Sequence, residues 1–113
     1  LRQLRDLLTA GGMDFLSAGW TSGEQAACKG NLGSLGRRWA LKEAALKALG
    51  HGFGSVSPLD IDVRNRPHGQ PEIRTHGAAR RYVRELGIET WHVSMSSDAN
   101  WAIAIAIACG GLK

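Results

Sequence analysis

The stretch "WAIAIAIAC", Trp101 to Cys109, alternates without a break, with Ile103, Ile105 and Ile107 on one side and Ala102, Ala104 and Ala106 on the other. A period of two belongs to an extended strand, whose successive side chains point to opposite faces. Both faces are apolar, so both need cover. Upstream, "TWHVSMSS" alternates too, and only "DAN" separates the two segments. They are therefore predicted to pair as an antiparallel hairpin. The same apolar run is too short to cross a bilayer as a helix.

Elsewhere the period is helical. "LRQLRDLLTA" sets Leu1, Leu4, Leu7 and Leu8 on one face and ends at Gly11 and Gly12. Thr21, followed three residues later by Glu24, is a capping-box signature for a second short helix. A main helix runs from a cap at Ser34 to about Leu49, stopping at Gly50 before the glycine-rich "GHGFGSVSP". "LDIDV" alternates Leu59, Ile61 and Val63 with Asp60 and Asp62, a half-buried strand with both aspartates facing solvent. "RNRPHGQP" is a turn, "EIRT" the returning strand, and "GAARRYVRELG" an amphipathic helix closed by Gly87. The expected fold class is α+β, one domain over residues 1–113, with helices packed on one face of an antiparallel sheet.

Composition narrows the function classes. A hydrophobic fraction of 43% excludes a disordered chain. Fourteen Lys and Arg against ten Asp and Glu give a net charge of +4, which favours anionic partners without choosing among them. Cys28 and Cys109 form no disulfide or metal framework, as suits a reducing cytoplasm, and Arg2, Arg5 and Asp6 argue against a signal peptide. The histidines His51, His68, His76 and His92 show no ligand spacing and read as structural or surface residues.

The main helix, "RRWALKEAALKALG", carries the candidate chemistry. At about 100° per residue Trp39, Glu43 and Lys47 form one stripe, Lys42 borders it, and Leu35, Leu46 and Leu49 face the core. Glu43 and Lys47 have the spacing of an exposed salt bridge worth about 0.2–0.5 kcal/mol. A carboxylate holding a metal beside an ammonium gripping a phosphate needs the same spacing. The helix alone leaves both readings open.

Its neighbours resemble a family. Arg38, Trp39, Lys42, Glu43, Ala44, Lys47, Ala48, Leu49 and Gly50 match the signature helix of the 4′-phosphopantetheinyl transferases of the small holo-[acyl carrier protein] synthase type. "WTSGE" resembles the family's aromatic-Thr-x-x-Glu element and "LDIDV" its Asp-Ile-Glu-Val strand. "HGQPEI" resembles its Gly-x-Pro turn, and "VSMSSDANWAIAIAIA" its closing Ser-x-Ser-His hairpin. The matches fall in family order from about Trp20 to Ala108.

The resemblance implies transfer of the 4′-phosphopantetheine arm of coenzyme A to a serine of an acyl carrier protein, releasing 3′,5′-ADP. It implies Mg²⁺ held by Glu43, and Lys47 on the pyrophosphate and the departing phosphate. Arg38, Lys42, Lys47, Gly50, Ser94 and Ser96 would bind coenzyme A, Arg38 at its 3′-phosphate and Gly50 within an amide-rich segment reaching Gly54. It further implies a homotrimer with active sites at subunit interfaces, and a first helix bearing Arg2 and Arg5 that meets the acidic carrier. Fatty-acid, polyketide and peptide carriers all fit. Membrane and nucleic acid are not expected as partners. The alternatives are a catalytically degenerate coenzyme A-binding relative and a basic RNA or polyanion module using Arg37, Arg38, Lys42 and Lys47.

Two positions depart from the pattern. The family opens with a Gly-Ile-Asp strand whose aspartate is a second metal ligand, and residues 1–10 hold nothing like it. The first strand is therefore expected to be missing from this sequence. Asp14, in "GMDFL", is too close to Thr21 to replace that aspartate. Ser97 stands where the family has His, keeping a hydrogen bond but not a cation.

Overall fold

The computed structural model describes residues 2–110, so Leu1 of the first leucine stripe lies outside the described residues. Four helices, α1 (Arg2–Gly19), α2 (Ser22–Cys28), α3 (Leu32–Ala48) and α4 (Gly77–Leu86), combine with strands β1 (Ile61–Asn65), β2 (Pro71–Thr75), β3 (Ile88–Ser97) and β4 (Ala102–Gly110). The α+β class is as expected. The sheet is not a single one. β1 pairs only with β2 and β3 only with β4, giving two antiparallel hairpins among the described residues. Each hairpin closes locally, "RNRPHGQP" joining the first and "DAN" the second. In the second turn Asp98 Oδ1 accepts from the amides of Asn100 (2.7 Å) and Trp101 (3.0 Å).

Gly12 does not end α1. It adopts φ 58°, kinks the helix, and lets a second helical segment run on to Gly19. That segment is kept by its aromatic contacts. Phe15 packs edge-on against Trp20 at 5.8 Å, and Trp20 lies 5.2 Å from Trp39 on α3. Trp20 is fully buried, and its indole N–H donates to the Leu35 carbonyl at 3.1 Å. Leu4 is buried here, whereas Leu7 stays half exposed.

The capping box forms as expected. Thr21 Oγ1 accepts from the Glu24 amide and the Glu24 carboxylate from the Thr21 amide. In α3 the cap is Asn31, whose side chain accepts from the Ser34 amide at 2.9 Å, so Ser34 lies inside the first turn. Leu35, Leu46 and Leu49 are buried as the stripe requires. The second core cluster joins the last turns of α3 to Ile61 and Ala79.

On β4 the alanines turn inward, and Ala106 packs on the core beneath α3. Ile103, Ile105 and Ile107 are 56%, 58% and 54% exposed. The bulky face of this strand is therefore the uncovered one. Alanine allows the close approach of strand to helix that isoleucine would block.

Candidate active site

Glu43 and Lys47 stand one turn apart on α3, at the wall of a groove of about 570 Å³ bounded by Trp39, α1 and the start of β4. They do not pair with each other, and among the described residues neither has a salt-bridge partner. Glu43 is half buried and Lys47 exposed. An unpaired carboxylate beside an unpaired ammonium, both facing open space, is an arrangement available to a ligand. Among the described residues no three His, Cys, Asp or Glu side chains cluster as a metal site. A single carboxylate still suits Mg²⁺, which keeps waters and shares its coordination with substrate phosphates. Asp14 is exposed on α1 and does not line the groove.

Arg38 and Ser94 meet elsewhere. They line a pocket of about 290 Å³ between the first turns of α3, the β1–β2 turn and the middle of β3. Arg38 is 2% exposed, and its Nη1 donates to Ser34 Oγ at 2.6 Å. Among the described residues its Nε has no acceptor. Burying an unpaired charged donor is costly unless a ligand supplies the acceptor. The pocket shares no lining residue with the Glu43 groove, which β4 borders instead.

Lys42 is not where the sequence put it. It is fully buried, with its ammonium 2.7 Å from Glu24 Oε1, 2.8 Å from the Pro58 carbonyl and 2.6 Å from that of Ile61. Three acceptors use all its donors, which leaves none for a phosphate. Burial lowers its pKa, while the charge and hydrogen bond of Glu24 oppose that shift. The other Glu24 oxygen accepts from the Val63 amide at 3.1 Å, so one carboxylate ties α2, α3 and β1 together.

The family model described as "4'-phosphopantetheinyl transferase superfamily" matches residues 2–106. The chain belongs to this superfamily. It is 41% identical over 106 residues to the holo-[acyl-carrier-protein] synthase of Herpetosiphon aurantiacus, covering 88% of this chain and 84% of the relative. It is 36% identical over 112 residues to the enzyme of that name from Gloeobacter violaceus, covering 96% and 85%. The Helicobacter pylori holo-[acyl-carrier-protein] synthase, solved in complex with coenzyme A, superposes with a TM-score of 0.86 at 29% identity, covering 96% of this chain and 92% of that one.

Within this phosphopantetheinyl transferase fold, the other expected site residues separate. The Gly50 amide donates to the Lys47 carbonyl at 3.0 Å, closing α3, and is unavailable to an anion. Ser96 is exposed on the outer face of the second hairpin, opposite Ile103, and does not line the Arg38 pocket. Neither aspartate of "LDIDV" is a solvent-facing strand residue. Asp60 sits in a 3-10 turn and accepts from the Ala78 amide at the start of α4. Asp62 is 2% exposed and accepts from Thr21 Oγ1 (3.1 Å) and Arg64 Nε (2.9 Å). Among the described residues the histidines form no ligand cluster: His51 stacks on Tyr82, His76 lies 3.5 Å from Asp62, and His68 touches Gln70.

Sequence reasoning missed the Glu24–Lys42 pair, although a signal was present. Lys42 follows Leu35 by seven residues and precedes Leu49 by seven, which places it in the core stripe. A charge there demands a buried partner, and Glu24 of "WTSGE" supplies it.

Proposed function

We propose that this chain transfers the 4′-phosphopantetheine arm of coenzyme A to a serine of an acyl carrier protein, releasing 3′,5′-ADP. The observation that carries the reading is Glu43 and Lys47 on one groove wall, without a salt-bridge partner among the described residues, in a chain that matches a phosphopantetheinyl transferase family along most of its length. The carrier serine gives its hydroxyl proton to water, and its oxygen bonds to the pantetheine-side phosphorus as the bond from that phosphorus to the ADP oxygen breaks. Such a transfer depends mostly on positioning and neutralisation of charge. Glu43 would hold Mg²⁺, which when bound neutralises charge on the pyrophosphate. Lys47 contacts the same pyrophosphate and stabilises the departing phosphate. Arg38 and Ser94, which line the smaller pocket together, would meet a coenzyme A phosphate there.

The separation of groove and pocket supports a site completed between subunits of a homotrimer. The uncovered Ile103, Ile105 and Ile107 row, bordering the groove, offers the apolar surface for that contact. Ser96, on the same face, would then lie beside the nucleotide at the interface. The net charge of +4 suits an acidic carrier, and exposed Arg5 on α1 is available to meet it. The free thiols Cys28 and Cys109 fit a reducing cytoplasm. A basic polyanion module is not favoured, because Arg38 and Lys42, two of its four cations, are buried.

The test is mass spectrometry of an apo acyl carrier protein incubated with the chain, coenzyme A and Mg²⁺. Gain of one phosphopantetheine arm is expected. Unchanged carrier mass, together with thermal stabilisation of the chain by coenzyme A, would indicate a binding relative without catalysis.

A further inference from the structure

The Arg38 pocket contains a second guanidinium that the resemblance assigned to nothing. Arg37 lines the same pocket, and its Nη1 donates to Ser97 Oγ at 2.7 Å across 60 residues of sequence. Ser97 also reaches back to the Gly33 carbonyl at 3.5 Å, so its hydroxyl bridges α3 and the end of β3. The bond uses one guanidinium nitrogen and leaves the others of Arg37 without a partner among the described residues.

The surroundings match one kind of ligand charge. Among the described residues no Asp or Glu lines the pocket, and neither arginine has a carboxylate partner. Ser34, Asn65 and Ser94 supply neutral polar groups. Two guanidiniums lining one pocket without counter-charge repel each other, and a dianion relieves that repulsion better than a monoanion. A phosphate monoester carries about −1.5 to −2 charges at pH 7, whereas each phosphate of a pyrophosphate diester carries about one. Arginine suits it further, because its fork matches phosphate oxygens.

We propose that Arg37, held by Ser97, is a specificity-determining residue which with Arg38 selects the phosphomonoester of the nucleotide. The proposal rests on the coenzyme A reading, in which that group is the 3′-phosphate. Ser97 acts through Arg37 as a positioning residue. Its neutral hydroxyl fixes the guanidinium without cancelling its charge, as a carboxylate would.

Isothermal titration calorimetry with coenzyme A and with 3′-dephospho-coenzyme A tests this on the wild type, Arg37→Ala and Ser97→Ala. Melting of each protein without ligand checks folding, and Arg37→Gln serves if the alanine variant melts early. The wild type is expected to prefer coenzyme A by about tenfold or more. Arg37→Ala should remove most of that preference and leave the affinity for the dephosphorylated ligand unchanged. Ser97→Ala should shift it in the same direction by less. If the wild type binds both ligands equally, or folded Arg37 variants keep its preference, the proposal falls while the coenzyme A reading stands. Binding of neither ligand by the wild type would overturn both.

Discussion

Lys42 Nζ lies 2.7 Å from Glu24 Oε1, and neither side chain is exposed to solvent. The pair joins the capping box of α2 to the middle of α3, one residue before Glu43 and five before Lys47. The register of the candidate catalytic stripe is thus fixed from inside the molecule. Removing one partner strands a buried charge, at a cost of about 3–5 kcal/mol. Glu24→Gln and Lys42→Met are therefore each expected to lower the urea midpoint steeply. A variant Lys42→Met with wild-type stability and weakened coenzyme A affinity would restore Lys42 to the phosphate site.

Glu43 and Lys47 should behave in the opposite way. Among the described residues neither has a salt-bridge partner at the groove wall, so Glu43→Gln and Lys47→Ala should melt within a degree or two of the wild type. Transfer to the carrier protein should fall by about 10²–10³-fold, the usual loss when a charge-stabilising group is removed. Full activity in Glu43→Gln, measured by carrier mass shift, would remove it from the site.

Asp62 links stability to acid. Burial pushes its carboxyl pKa up, but the hydrogen bond and charge of Arg64, then the bonds from Thr21 and His76, outweigh it and hold the value below the ordinary 3.8. A depressed native pKa contributes stability that is complete above 3.8 and is withdrawn as pH falls through the lower native value. Urea titrations from pH 6 down to pH 2 should therefore show a loss that Asp62→Asn lacks. Parallel curves for the two proteins would refute the assignment.

The isoleucine row predicts an assembly defect. Ile105 is 58% exposed, so Ile105→Asp should leave the fold of one chain intact. If the face is covered by other copies, light scattering should report a smaller species than the wild type. An unchanged mass, at whatever oligomeric state, would show that this face is not the contact.

Much of the architecture was legible because it is local. The β3–β4 hairpin follows from two alternating segments and a three-residue connection, and the capping box from Thr21 and Glu24. Other readings failed where a distant contact outweighed a local rule. Gly12 looked like a helix stop, yet Trp20 and Trp39 hold Phe15 in a continuing helix across the kink. Asp62 looked solvent-facing by alternation, yet Thr21, Arg64 and His76 surround it. Gly50 looked like an anion donor, yet its amide closes α3.

The sequence by itself determined the hairpins, the helix stripes and the side chains available for phosphate chemistry, since period and turn residues act over a few positions. Only the tertiary structure decided which charges remain free. Lys42, Glu43 and Lys47 are similar in sequence as polar members of one helix, and their difference lies in what packs against each. Glu24 and two carbonyls, brought from distant elements, consume Lys42. Glu43 and Lys47 face open space. A charge is sequestered or available according to the acceptors within about 3 Å of it, and the folded chain sets that distance.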